Sequence, residues 1–142
     1  TGPARIRGSI DRIEVDPDGR VSVVDLKTGR SMPSEKNDMP EHPQLGAYQL
    51  AVEDGAVDGV PAGSPMTDAR LVFVQNPRGG HAFSERTQHA FDAEAREAYR
   101  ERLHGVARGM AGRTFVANVD DHCEKARTGV ECRIHVVAEV TW

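Results

Sequence analysis

The stretches Gly8-Ser9-Ile10-Asp11-Arg12-Ile13-Glu14-Val15 and Arg20-Val21-Ser22-Val23-Val24-Asp25-Leu26-Lys27-Thr28-Gly29 flank the tetrapeptide Asp16-Pro17-Asp18-Gly19, and together they decide the fold. β-Branched residues alternate roughly through residues 4–15, as in a half-buried strand. Residues 20–27 repeat the pattern. Pro17 presets φ for a turn, and Gly19 supplies the positive φ that closes it. The segment therefore reads as a β-hairpin. If Val15 pairs with Val21, Asp11 falls opposite Asp25, about 5 Å apart at Cα. A bulge at Gly19 would set that register.

Outward from the hairpin, residues 28–40 read as a loop. Residues 41–54 read as a helix with Pro43 in its first turn, where proline is tolerated. Residues 55–67 form a Gly/Pro-rich loop. Residues 69–76 are apolar enough for a central strand, and residues 81–86 suggest an edge strand. A long helix is expected over 92–110. Phe91, Ala95, Tyr99, Leu103, Val106 and Met110 recur at helical spacing, the pattern of a buried stripe. Arg96, Arg100, Arg102 and Arg108 lie around it, a solvated face or, as a minority reading, a surface that tracks a nucleic-acid backbone. The order β-β-α-β-(β)-α implies an α/β fold, a mixed β-sheet flanked by helices. One domain spans 1–142, with an irregular tail over 111–142.

Composition narrows the class. The 142 residues carry a formal net charge of −4. That counts against a simple DNA-binding module, which normally carries a basic stripe, but not against a metal enzyme that clusters carboxylates. Two cysteines are too few for a disulfide scaffold. No apolar run approaches the ~18–20 residues that cross a bilayer. The first residues, Thr1-Gly2-Pro3-Ala4-Arg5, have no signal-peptide pattern, so no membrane partner and a cytoplasmic setting are expected. No Gly-x-x-x-x-Gly-Lys-Ser/Thr occurs, so any ATP-driven motor lies outside this chain.

The chemistry concentrates on the hairpin. Asp25 and Lys27 project from one strand face. Asp11, opposed to Asp25, adds a second carboxylate, and two like charges so placed repel. A hard cation, Mg²⁺ or Mn²⁺, relieves that repulsion with oxygen ligands. It also lowers the pKa of bound water, while an adjacent lysine stabilises charge on a phosphate. Without metal, loss of Asp25 is expected to hold stability or raise it slightly. Asp25 sits within the apolar run 21–26, where a charge is costly unless paired or metal-bound. Asp-x-Lys on a solvated hairpin edge is the plain alternative. Gln44 and Tyr48 share one helix face, which alone fits an ordinary half-buried helix. His42, His81, His89, His104, His122 and His135 show no zinc-like pairing. His122-Cys123 with Cys132-x-x-His135 invites a zinc reading, but cysteines and histidines cluster readily in such a tail.

Taken together, Gly8-x-Ile10-Asp11-Arg12, Val24-Asp25-Leu26-Lys27-Thr28-Gly29 and Gln44-x-x-x-Tyr48-Gln49-Leu50-Ala51 resemble the RecB-type nuclease family of the PD-(D/E)xK superfamily. The pattern is most similar to the C-terminal nuclease modules of AdnB-like and UvrD/Rep-type helicase–nucleases of actinobacteria. The resemblance spans essentially the whole chain, with 71–74 as the later core strand and 115–117 as the approach to a cysteine cluster. It implies that Asp11, Asp25 and the backbone carbonyl of Leu26 bind metal. It makes Lys27 the catalytic lysine, and has Gln44 and Tyr48 line the site and place DNA. The implied partners are single-stranded DNA ends, a helicase motor domain and a second helicase–nuclease subunit, in double-strand-break processing and recombination repair.

Against the family pattern, the helix that carries a further His or Glu ligand before the first strand is missing, which implies an incomplete metal shell and weak activity for this chain alone. Cys123 and Cys132 match the outer positions of a distal cluster motif, but Ala126 stands at the middle one and an upstream cysteine is missing. Four thiolates are the usual requirement, so no iron–sulfur cluster is expected. The alternatives are a non-catalytic DNA-guiding or structural module of the same complex, and a stand-alone Cas4-like nuclease.

Overall fold

The computed structural model describes residues 5–77 and 79–113. The cysteine-bearing tail, with Cys123, Cys132, His122, His135 and the 115–117 segment, lies outside the described residues. Four strands form one sheet in the order β1-β2-β3-β4: β1 (Arg12–Val15), β2 (Val21–Lys27), β3 (Met66–Phe73) and β4 (Ser84–His89). The β1–β2 and β3–β4 pairs are antiparallel and β2–β3 is parallel. Helix α1 (Pro43–Glu53) lies in the β2–β3 crossover, and α2 (Ala93–Ala111) follows β4. The architecture is the mixed α/β arrangement expected from the order of elements.

The hairpin turn fixes the register. Asp16 and Arg20 are joined by Asp16 N–H to Arg20 O at 3.0 Å, and Gly19 N–H closes on Asp16 O at 2.9 Å. Gly19 takes φ 79°, as a Gly bulge requires. The Asp16 carboxylate also accepts from the Asp18 and Arg20 amides, at 2.9 Å each. Val15 then pairs with Val21 and Arg12 with Val24. Beyond Arg12 the ladder stops: the chain bends at Asp11, and residues 5–10 are not strand. β1 is thus far shorter than the 4–15 reading.

Alternation along the paired strands puts Ile13, Val23, Asp25, Lys27, Ala69, Leu71, Phe73 and Gln88 on one sheet face. Against it pack Leu45 and Val52 of α1 and Met39 of the preceding loop, which complete the core. α1 is buried on more than one side, because α2 lies on its back. Gly46 permits that contact. A Cβ there would meet the Tyr99 ring at 2.5–2.9 Å, and the Tyr99 hydroxyl donates to the Pro43 carbonyl.

Two expectations give way here. The edge strand is Ser84–His89 rather than 81–86, because Gln88 and Arg86, polar residues, point inward to bind the loop before α1. Gln88 Nε2 donates to the Met39, Pro40 and His42 carbonyls, and Arg86 Nε donates to Pro33 O at 3.0 Å. The α2 stripe is not buried along its length either. Tyr99 is its one buried residue, while Val106 and Met110 are 55% and 74% exposed. The second half of the helix, Val106 and Met110 included, finds no surface among the described residues. The α2 arginines are engaged inside the chain: Arg96 pairs with Glu53 at 2.7 Å, Arg100 with Asp54 at 2.8 Å, Arg102 with Glu41, and Arg108 with Glu101 at 3.0 Å.

The Gly46–Tyr99 contact yields a paired test. Gly46→Ala should overpack the helix–helix contact and lower stability by about 1–3 kcal/mol. Gly105→Ala, where a Cβ meets nothing within 4 Å, should raise it by up to about 1 kcal/mol through helix propensity. Urea unfolding of both variants checks the pair, and equal effects would show that α2 does not pack on α1 through this contact.

Candidate active site

β2 delivers Asp25 and Lys27 to the sheet face that α1 covers, and α1 answers with Gln44 and Tyr48. Asp25 is 3% exposed. Its Oδ1 accepts from Gln44 Nε2 at 2.8 Å and lies 3.2 Å from the Tyr48 hydroxyl. Its Oδ2 stands 2.6 Å from Lys27 Nζ, but outside hydrogen-bonding angles, so this buried oxygen receives no directed hydrogen bond. An ammonium alone compensates it. That leaves acceptor capacity on a buried carboxylate, which is costly unless a cation also uses it.

Gln44 ties the cluster together. Its amide N–H₂ serves Asp25 and the Tyr48 hydroxyl (2.7 Å), while its Oε1 accepts from Lys27 Nζ at 2.8 Å. One lysine N–H is therefore given to Oε1, the ammonium faces Asp25 Oδ2 through charge alone, and no other hydrogen bond of the Lys27 ammonium occurs among the described residues. The Tyr48 hydroxyl also reaches the Ser9 carbonyl at 3.1 Å, which anchors residues 8–10 beside α1. Burial holds the Tyr48 hydroxyl above its ordinary pKa, and the charges of Asp25 and Asp11 add to the effect. It stays a neutral donor at physiological pH.

Asp11 enters from the bend before β1. Its Oδ2 accepts from the Leu26 backbone N–H at 2.8 Å, which extends the hairpin line past Arg12 by one side chain. Lys27 O binds Val74 N–H on the β3 side. Alternation of backbone groups then turns the Leu26 N–H and carbonyl the other way, toward Asp11. The two carboxylates and the Leu26 carbonyl are thus hard oxygen donors grouped around one strand end. Among the described residues no group of three or more His, Cys, Asp or Glu side chains could hold a metal. The donor set suits Mg²⁺, which keeps several waters and takes one or two carboxylates, and the under-bonded Asp25 Oδ2 supplies the acceptor such an ion would use.

Of the five residues singled out in the sequence, Asp25, Lys27, Gln44 and Tyr48 form one network, and Asp11 stands beside it on the Leu26 N–H. Sequence reasoning missed His42, which caps α1 beside Lys27, and the buried pair Gln49 and Gln88. Gln49 Nε2 donates to Gln88 Oε1 at 2.9 Å, and its Oε1 accepts from Phe91 N–H at 2.9 Å. Nothing in the sequence separates these glutamines from surface ones.

An open groove of about 960 Å³ shares Gln44 and Tyr48 with the cluster and runs between residues 6–10 and α1, with Ile6, Ile10, Ala47 and Ala51 on its walls. No described helix is long and apolar enough to cross a membrane.

Among curated proteins no individual relative matches the chain. The model of the PD-(D/E)XK nuclease superfamily matches residues 1–133, nearly the whole length and the entire cluster, and the chain belongs to that superfamily.

Proposed function

We propose that this chain is the RecB-type nuclease module of an ATP-dependent helicase–nuclease that processes broken DNA ends, and that Asp11, Asp25 and Lys27 carry phosphodiester cleavage. The observation that supports it best is the buried Asp25 carboxylate. One oxygen accepts from Gln44 and lies beside the Tyr48 hydroxyl while the other faces only Lys27, on a strand end that also brings Asp11 and the Leu26 carbonyl. A purely structural ion pair has no use for the second carboxylate or the open acceptor.

Asp11, Asp25 and the Leu26 carbonyl would hold Mg²⁺ or Mn²⁺. Such an ion supplies an acidified water and positive charge against the phosphate. The chain's own groups do the rest. Gln44 fixes Asp25 and Lys27 relative to one another. Lys27 offers a free N–H to a phosphate oxygen, where preformed donors stabilise the charge that develops. Tyr48, kept neutral, holds the 8–10 segment and shapes the groove mouth. That groove is open enough for a single strand, in keeping with DNA ends as substrate. A motor domain would supply ATP hydrolysis and strand feeding, a second helicase–nuclease subunit would be the partner, and the compartment would be the cytoplasm.

A non-catalytic DNA-guiding role draws support from the presence, among the described residues, of only two acidic side chains at the site. Activity of this chain alone is accordingly expected to be feeble and that of the motor-bearing protein full.

Three measurements follow. In the motor-bearing protein, with labelled single-stranded DNA and Mg²⁺, Asp25→Ala should bring cleavage to background and leave ATP hydrolysis nearly intact. Wild-type cleavage by that variant, with no second nuclease present, would make the guiding role the better reading. Lys27→Ala should lower kcat by about 10²–10³-fold, the scale of one lost electrostatic donor. Calorimetric Mn²⁺ binding should persist in it, and lost binding would place Lys27 in the metal shell's support instead. In the metal-free chain, Asp25→Ala should cost about 1–3 kcal/mol in urea unfolding. Its carboxylate is held by Lys27, Gln44 and Tyr48, so the gain expected from relieved repulsion with Asp11 is outweighed.

A further inference from the structure

His42 has no part in the cluster, yet it starts the helix that carries two of its members. Its backbone is extended at φ −60° and ψ 116°, and its carbonyl accepts the first helical bond from Gly46 N–H at 3.0 Å. Its ring Nδ1 accepts from the Leu45 N–H at 3.4 Å, a long N-capping bond. Ser, Thr, Asp and Asn normally fill this position, with an oxygen that gains no proton near neutrality. A histidine nitrogen caps only while it is unprotonated. Pro43 at the first helical position has no N–H of its own, so the ring serves one of the few free amides of this turn. Gln44, which bridges Asp25 and Lys27, is the very next residue.

The ring lines a cleft of about 440 Å³ whose walls include Lys27, Ser31, Asp38 and Phe73. Burial lowers its pKa from the ordinary 6.5, the Lys27 charge lowers it further, and Asp25 and Asp38 pull the other way. The α1 N-terminus also disfavours an imidazolium. From the remaining elements, β3 presents uncharged Leu71 and Phe73, β4 presents Gln88 to the His42 carbonyl, and α2 presents Arg102, paired with the neighbouring Glu41.

We propose that His42 is a positioning residue for cleavage: its uncharged ring caps α1 and so holds Gln44 on Asp25 and Lys27, and protonation of Nδ1 releases the cap and slackens that bridge. The proposal rests on the nuclease reading above. Because the folded pKa is depressed, the cap's contribution is complete above 6.5 and is lost as pH falls through the folded value. Cleavage should fall over the same acid window.

His42→Asn keeps a capping acceptor that gains no proton, and His42→Ala removes it. Cleavage by the motor-bearing protein against pH should show His42→Ala slowed about tenfold in kcat near pH 8 with KM unchanged, the size of one lost cap. His42→Asn should restore kcat there and carry activity to lower pH than wild type. In the metal-free chain, NMR should show the Gln44 side-chain amide shifting in step with the His42 ring titration, and a fixed Gln44 signal in His42→Asn. An unchanged acid limb in His42→Asn, or a Gln44 amide indifferent to the ring titration, overturns the proposal. If wild type and Asp25→Ala both give only background at every pH, the nuclease reading fails instead, and the NMR titration alone decides the role of His42.

Discussion

Asp25 places a carboxylate on the covered face of a central strand, where an apolar side chain carries no desolvation cost. Much of the surrounding structure is shaped by that cost. Burying a charge demands partners, and three residues on two elements bring them: Lys27 two residues along β2, and Gln44 and Tyr48 one turn apart on α1. α1 must therefore sit over the end of β2 with its first turn aimed at the sheet. The loop over 28–42 must also end at a fixed point, and Gln88 and Arg86 of β4 pin it there with bonds to the 33, 39, 40 and 42 carbonyls. Those two polar residues on an inner face are explained by the helix they position.

The opposite sheet face shows what β2 looks like without that constraint. Arg70 there meets Glu14 at 2.6 Å, Asp68 at 3.2 Å and Glu85 at 3.5 Å, and Leu26 is half exposed. Ion pairs of this kind contribute little each. The two faces of one strand thus separate a site from a surface, although both carry charged residues.

The hairpin was legible because its information is local. Asp16, Pro17 and Gly19 name a turn type, the turn names a register, and the register sets Asp11 against the end of β2. The site followed, since Asp25, Lys27, Gln44 and Tyr48 obey the periods of a strand and a helix. What was not legible depended on distant partners. β1 stops at Arg12 because Ser9 is drawn toward Tyr48 of α1, which no pattern in residues 4–15 could reveal. The α2 stripe has helical spacing throughout, but spacing cannot tell which turns meet a partner, and beyond Leu103 the stripe has no described surface to meet. Gln49 and Gln88 satisfy one another across 39 residues, and each alone reads as solvated.

The parallel β2–β3 pair has a consequence for how the chain comes into being. Lys27 and its neighbour Phe73 are separated by the whole crossover, loop, helix and second loop. Such a closure must be made before its contacts reward it, which slows folding relative to a hairpin. The β1–β2 hairpin can form early on its own, with Asp11 near Asp25. Gln44 reaches them only when α1 settles on the joined sheet. A nascent or partly unfolded chain would hold the two acids without the bridge that aligns Lys27, so the complete cluster would arrive with the last step of assembly rather than the first.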